Sequence, residues 1–169
     1  ALEAKYIRIF SFYTPNGEDP AIYRDAVMER MAQFADAAKG SGILLCHENE
    51  KGIYGDVASR CLEIQKNFPT LGCIFDPANF VQCGEDTLKA WDMLAPYMTY
   101  MHIKDALPNG KVVPAGKGAG NVRAIVAKYK AQGGIGLTAE PHLSVFDALE
   151  SLEQGGDTSD INAFAYPTK

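Results

Sequence analysis

Four residues that could bind a cation recur at similar places along the chain, each directly after a short apolar run. They are Glu48, Asp76, His102 and Glu140, in the segments HENE, FDPAN, HIKD and AEPH. Three carboxylates and an imidazole form a hard, oxygen-rich set that suits Mn²⁺, Mg²⁺ or Co²⁺ better than a thiolate zinc site does. Singly, each has an ordinary alternative, because an acidic residue after a strand, such as Asp76 or Glu50, is often a helix cap, and one His is often a core or surface residue. Four in succession favour a shared site.

The elements that carry these residues repeat a strand followed by a helix. Short runs rich in β-branched and aromatic residues predict strands at 6–12, 43–48, 72–76, 98–104 and 135–140. Helical periodicity predicts helices at 20–38, 56–68, 85–95 and 121–132, with a shorter one after residue 144. Asp19 and Pro20 mark the start of the first helix, and Gly133-Gly134 the end of the fourth. No strand–strand hairpin is predicted, so the strands should be parallel and joined by crossover helices.

The spacing of the units predicts an α/β fold in one domain, residues 1–169. The predicted strands begin 26 to 37 residues apart, close to the roughly 31 residues per unit of a (β/α)₈ TIM barrel. Five units therefore predict a partial barrel that lacks about three units. An open doubly wound sheet repeats at the same spacing and remains an alternative at this point. In a barrel, the carboxyl ends of the strands converge, which would bring the four candidate ligands to one point.

Three basic residues could line the same site. Lys104 lies two residues after His102 on one strand, so both should face the same side, and Lys104 could bind a substrate oxygen or pair with Asp105. His142 follows Glu140 by two residues and could line the pocket or lie outside it. Arg8, on the first predicted strand, could bind an anionic group or fill the polar interior of the barrel.

The strings HENEKGIYGD, FDPANF, HIKD, VPAGKGAG and EPHL, in this order, resemble the sugar isomerase/epimerase family of xylose-isomerase-like TIM barrels, in the AP endonuclease family 2 superfamily. The resemblance covers nearly the whole chain, from the strand with Arg8 onward, and maps it onto barrel strands four to eight. It implies that Glu48, Asp76, His102 and Glu140 hold one divalent ion, Mn, Co, Mg or Zn. It also implies that Glu48 and Glu140 act as acid and base.

The function implied by this resemblance is isomerisation or epimerisation of a small sugar or sugar phosphate through an enediolate. A divalent ion would stabilise the charge that develops when a proton next to a carbonyl is removed, and two carboxylates would move the proton. A lyase of the inosose dehydratase type and an inactive barrel fragment are the alternatives. An apurinic endonuclease is disfavoured, since those enzymes use many histidines and this chain has three. Asn79 stands where related epimerases often place a sugar-contacting His, so we expect it to bind substrate.

The glycine-rich segment 116–120, GKGAG, invites a nucleotide-binding interpretation but does not support one. It lacks the GK[ST] ending of a P-loop, and it does not join a strand to a helix in the GxGxxG manner. We expect a flexible loop that closes over a sugar. Lys117 in this segment replaces a residue that is usually acidic in the family.

Composition excludes several classes of protein. The 169 residues carry a net charge of −5, which argues against bulk binding of nucleic acid. No apolar run approaches the roughly 20 residues that cross a bilayer, so we expect no membrane contact. The four cysteines show no CxxC pair, and we expect reduced, mostly buried thiols in a cytoplasmic protein.

The predicted sheet would have two uncovered parallel edges, at 6–12 and 135–140. Parallel edges are normally covered. We therefore expect a homo-oligomer or further N-terminal barrel strands; the sequence begins without Met or a signal-peptide pattern, as though cut from a longer chain.

Overall fold

The computed structural model describes residues 3–134 and 136–142. Within these residues, five strands form one parallel sheet: β1 (Tyr6–Ile9), β2 (Leu44–Glu48), β3 (Gly72–Phe75), β4 (Met98–Ile103) and β7 (Leu137–Ala139). The strand order is β1-β2-β3-β4-β7, so each of these strands pairs with the next one along the chain. A doubly wound sheet reverses its strand order, whereas a barrel wall does not. The order observed here is that of a partial (β/α)₈ barrel, as predicted.

Five α-helices connect or follow the strands: α1 (Arg24–Ala38), α2 (Ala58–Asn67), α3 (Pro77–Gln82), α4 (Thr87–Leu94) and α5 (Val122–Ala131). Short 3₁₀ turns at Pro20–Tyr23, Tyr54–Asp56 and Ala95–Tyr97 precede or follow them. The side chain of Asp19 caps the first turn by accepting from the Ala21 amide, and Asp86 caps α4. A glycine with φ of 86° at Gly133 follows α5, where the sequence predicts its end.

The structure differs from the sequence prediction at three places. The first strand ends at Ile9 instead of residue 12, and Phe12 has a left-handed φ of 67°, which a continuing strand would not allow. A small antiparallel ribbon, which was not predicted, pairs β5 (Asp105–Ala106) with β6 (Val112–Val113) in the connection between β4 and α5; the five main strands are joined by no hairpin within the described residues. The six-residue helix α3 was not predicted. Residue 135 and the helix predicted after residue 144 lie outside the described residues.

The outer face of the sheet forms the hydrophobic core with the helices. Phe75 of β3 packs on Phe80 and Trp91, with ring centroids 4.9 and 5.5 Å apart. Trp91 in turn packs edge-on against Tyr129 of α5. A second cluster, which includes Val27 and Tyr54, packs α1 against the first two strands. Since alternate strand residues face opposite sides, this core leaves the other side chains of the same strands for the inner face.

The two edges of the sheet carry exposed apolar side chains. β1 and β7 are the edge strands, and Tyr6 and Leu137 are 51% and 50% exposed. None of the helices within the described residues is long and apolar enough to span a membrane. All four cysteines are free thiols; Cys46, Cys61 and Cys73 are buried and Cys83 is partly buried, as predicted.

Candidate metal centre

The four candidate ligands lie together at the carboxyl end of the sheet. One ligand atom from each of Glu48, Asp76, His102 and Glu140 lies within 4.8 Å of the others. The strand register explains this, since Glu48 pairs with Ile74, two residues before Asp76. Likewise His102 pairs with Thr138, two residues before Glu140. Residues two apart share a face, so all four point to the inner side of the curved sheet.

The cluster is buried, and its polar atoms lack ordinary partners. His102 Nδ1 is 2.7 Å from Glu48 Oε1, 3.3 Å from Glu140 Oε2 and 3.9 Å from Asp76 Oδ2. Even so, His102 Nδ1, both Glu48 oxygens and Asp76 Oδ2 form no hydrogen bond of acceptable geometry within the described residues. Buried polar atoms are almost always hydrogen-bonded. Glu48, Asp76 and His102 therefore each present an unsatisfied ligand atom near Glu140 Oε2, an arrangement that fits a divalent cation well.

Asp76 serves two purposes at once. Its Oδ1 accepts a hydrogen bond from the Asn79 amide at 3.0 Å and so caps α3, with Pro77 at the first helical position. Its Oδ2 faces the cluster. The helix-cap interpretation of this residue is therefore correct, and it leaves one carboxylate oxygen for a metal ion.

The charges within the cluster shift two pKa values in opposite directions. Burial lowers the pKa of His102, but the carboxylates of Glu140 and Glu48 outweigh that effect and raise the pKa to about 9. Burial raises the pKa of Glu140, but contact with His102 and the charges of His102, Lys104 and His142 lower it to about 2. Without a metal ion, His102 is therefore protonated and Glu140 ionised at neutral pH.

Asn49 is a site residue that the sequence analysis missed. Its side chain accepts from the Asp76 amide at 2.8 Å and donates to the Asp76 carbonyl at 3.0 Å. This pair of hydrogen bonds fixes the backbone that carries Asp76. The only sequence signal was the position of Asn49, directly after Glu48 in the HENE segment.

Lys104 lies beside the cluster and does not make the expected pair with Asp105. Its Nζ donates to Asn79 Oδ1 at 2.8 Å and lies 3.3 Å from Asp76 Oδ2 and 4.0 Å from Glu140 Oε2. Burial lowers the pKa of Lys104, but the charges of Asp76 and other carboxylates, Glu50 among them, raise it overall. The buried ammonium group therefore remains charged next to the four ligands.

The other three predicted substrate-binding residues occupy different positions. Asn79 is buried, and its amide is used within the protein, since it accepts from Lys104 and donates to the Asn49 carbonyl at 2.9 Å. Arg8 is about half exposed, and its Nη1 lies 3.2 Å from both Glu48 Oε2 and Glu140 Oε1. His142 Nε2 lies 4.0 Å from Glu140 Oε2. Arg8 and His142 therefore lie at the rim of the cluster, whereas Asn79 is buried and hydrogen-bonded to Lys104.

The glycine-rich segment is anchored, in contrast to the flexible loop that the sequence suggested. The carboxylate of Asp105 accepts backbone hydrogen bonds from Gly116, Gly118 and Gly120 at 2.8 to 3.0 Å, and from Ala106. A Cβ atom at Gly118 would lie 2.4 Å from the Ala106 carbonyl oxygen. The glycines allow the backbone to wrap around one carboxylate, and Asp105 is used for this task.

The sequence matches the profile of the xylose isomerase-like TIM barrel over residues 1–155. The chain belongs to this family. A search of curated proteins finds no match.

Solved structures with the xylose isomerase-like fold align with most of the chain. A D-tagatose 3-epimerase-like protein aligns with a TM-score of 0.69 at 20% identity, over 90% of this chain and 61% of its own. The probable 3-DHS dehydratase AsbF of Bacillus anthracis aligns with a TM-score of 0.67 at 15% identity, over 79% of this chain and 56% of its own. A xylose isomerase-like TIM barrel protein from Mycobacterium smegmatis, in complex with magnesium, aligns with a TM-score of 0.65 at 20% identity, over 82% of this chain and 55% of its own. The chain thus spans somewhat more than half the length of these structures, and at such identities they show the shared fold.

Proposed function

We propose that this chain carries the metal centre of a divalent-metal-dependent isomerase or epimerase of a small sugar or sugar phosphate. The observation that supports the proposal is the set of four ligand atoms within 4.8 Å of one another, most of them buried without a hydrogen-bond partner. Glu48, Asp76, His102 and Glu140 would hold one ion, Mn²⁺, Co²⁺, Mg²⁺ or Zn²⁺. When bound, the ion would act as a Lewis acid toward the carbonyl and hydroxyl oxygens of the substrate.

In this proposal Glu140 and Glu48 move the proton. Glu140 is ionised at neutral pH and its side chain is 24% exposed, so it can reach a substrate and accept a proton from the carbon next to a carbonyl. The electrons of the broken C–H bond form the double bond of an enediolate. Glu48, whose Oε1 lies 2.7 Å from His102 Nδ1, would take up a proton from solvent and deliver it to the opposite face, which inverts the carbon, and Glu140 would return its proton to solvent. Delivery to the neighbouring carbon would interconvert ketose and aldose.

Four further residues would bind or orient the substrate. The Lys104 ammonium group, which is buried 3.3 Å from Asp76 Oδ2 and 4.0 Å from Glu140 Oε2, would donate to a substrate oxygen. Arg8 and His142 would contact the substrate at the rim of the site. Asn79 would act through Lys104, because its side-chain oxygen accepts the Lys104 hydrogen bond.

The position of Lys104 also supports a second function, a dehydratase. A buried ammonium group 4.0 Å from the proposed base Glu140 could protonate a departing hydroxyl group after proton removal. The dehydratase aligned above shares the fold. Loss of one water molecule, detected by mass, would distinguish this reaction from isomerisation.

The proposal can be tested by hydrogen exchange at the substrate carbon. The 169-residue chain would be incubated in D₂O with Mn²⁺, Co²⁺ or Mg²⁺ and a panel of ketoses, aldoses and their phosphates, followed by NMR and mass spectrometry. We expect incorporation of one deuterium, which a chelator abolishes. Glu140→Gln should abolish exchange, while Glu63→Gln, a carboxylate of similar exposure that pairs with Arg24 away from the site, should retain it. Absence of exchange by metal-loaded protein across the whole panel would contradict the proposal.

A further inference from the structure

Glu48 and Glu140, the two proposed acid–base residues, each have one carboxylate oxygen near Arg8 and the other near His102. Its Nη1 donates to Glu140 Oε1 at 3.2 Å and lies 3.2 Å from Glu48 Oε2. The remaining oxygens, Glu48 Oε1 and Glu140 Oε2, are those that lie 2.7 and 3.3 Å from His102 Nδ1. Each carboxylate thus directs one oxygen to the guanidinium group and the other to the ligand cluster.

The strand register and the curvature of the sheet bring Arg8 close to Glu48 and Glu140. Arg8 pairs with Cys46 in the register of β1 with β2, so it lies on the same face as Glu48, two residues further on. Glu140 follows β7, at the opposite edge of the sheet, and the two residues meet only because the sheet curves into a barrel wall. The Arg8 guanidinium carbon also lies 5.0 Å from the centroid of the Phe10 ring, on the same strand face.

We propose that Arg8 is a positioning residue that restricts Glu48 and Glu140 to one coordinating oxygen each. This inference rests on the proposed metal centre. A carboxylate with no second partner can turn and bind a cation with both oxygens, as carboxylates commonly do. The guanidinium group donates to the second oxygen of Glu140 and forms an ion pair with the second oxygen of Glu48, and both interactions oppose that rotation. Glu140 Oε1 then remains beside the half-exposed Arg8 side chain, while Glu48 Oε2 stays buried beneath it.

The test is the coordination of Co²⁺ in Arg8→Met. We expect wild type to bind one Co²⁺ per chain with the visible absorption of a low-coordinate ion. Arg8→Met should still bind Co²⁺, but with a weaker visible band, because both carboxylates then add a second oxygen to the ion. Since Arg8 is half exposed, millimolar guanidinium ion should enter the vacated site and restore the wild-type band. A general structural role for Arg8 would not produce this rescue.

Arg24→Met is the matched control. Arg24 has the same 45% side-chain exposure as Arg8 and also contacts two carboxylates, Asp25 and Glu63, away from the cluster. Its substitution should leave the Co²⁺ spectrum unchanged. If Arg8→Met fails to fold, Arg8→Gln, which lacks the positive charge and the reach of arginine, should show the same weakened band.

The outcomes separate this inference from the proposed function. A wild-type Co²⁺ spectrum in Arg8→Met, or in Arg8→Gln if that variant alone folds, overturns the positioning role and leaves the metal centre intact. A weakened band that guanidinium does not restore also contradicts it. Wild-type protein that binds no Co²⁺ overturns both. A wild type that binds Co²⁺ but exchanges no substrate proton overturns only the proposed reaction.

Discussion

Protons and a metal ion should compete for His102, and the competition sets the pH dependence of metal binding. Metal ions bind the neutral imidazole, so a protonated His102 must first lose its proton. Glu140 and Glu48 raise its pKa to about 9. Between pH 8 and pH 6 the neutral fraction, and with it the metal affinity, should fall roughly 90-fold, whereas an ordinary histidine pKa of about 6.5 would give only about 4-fold. Glu140, with a pKa of about 2, stays ionised throughout and adds nothing to this slope.

This prediction can be measured by titration of Co²⁺ against a chelator of known affinity at pH 6, 7 and 8. Calorimetry in buffers of different protonation enthalpy should also show that nearly one proton is released per ion bound. Glu140→Gln removes one of the carboxylates that raise the pKa of His102, so its affinity should vary less steeply with pH. A change of less than tenfold in wild type between pH 6 and pH 8 would refute the assignment of His102 as a protonated residue in the metal-free site.

The stability of the metal-free protein should depend on pH in the opposite sense. A histidine whose pKa is raised on folding contributes stability below its unfolded value of about 6.5 and loses that contribution as the pH rises through about 9. The His102 side chain is 5% exposed, and the raised pKa corresponds to at most about 3 kcal/mol. Glu140 has a lowered pKa, so its contribution is present above about 4.5 and lost as the pH falls through about 2. Urea unfolding with a chelator should therefore show greater stability at pH 6 than at pH 9.5.

Two further predictions concern the scaffold. Asp105→Asn should lower the free energy of unfolding by about 3 kcal/mol, since the Asp105 carboxylate accepts four backbone hydrogen bonds. The control Asp92→Asn, at an exposed carboxylate, should have little effect. If urea unfolding shows that Asp105→Asn lowers this free energy by less than about 1 kcal/mol, other contacts hold the glycine-rich segment. The chain should self-associate through the two sheet edges, at β1 and β7, that no described strand covers, so light scattering should report a mass above 18.3 kDa, and a stable monomer would contradict this.

The sequence predicted those features that depend on short-range pattern. Short runs rich in β-branched and aromatic residues predicted the five strands, the repeat of strand and helix predicted that they are parallel, and a cap followed by Pro predicted the start of the first helix at Asp19. The convergence of Glu48 with Glu140 also followed, because the carboxyl ends of barrel strands meet. Each of these inferences needs only a local period or a general rule of the fold.

The contacts that complete the site were not predictable in this way. Asn49 supports Asp76 through its backbone, and Asp105 binds glycine amides 11 to 15 residues away. Both side chains act on main-chain groups, which are the same at every residue and leave no signal in the residue types. Arg8 meets Glu140 across 132 residues, a contact that requires the curvature of the whole sheet. Periodicity carries no information about such distances.

The architecture also separates metal binding from the rest of the reaction. The four ligands lie at the carboxyl ends of β2, β3, β4 and β7, which are neighbours in the described sheet. Asn49 and Lys104 directly follow β2 and β4, and Arg8 lies on the adjacent strand β1. The proposed metal centre therefore draws all four of its ligands from this part of the fold. A substrate bound there would be enclosed on one side by this wall, while beyond the edge strands β1 and β7 no described strand covers it. Ion affinity should consequently depend on these residues alone, whereas substrate affinity should increase with whatever covers the two edges.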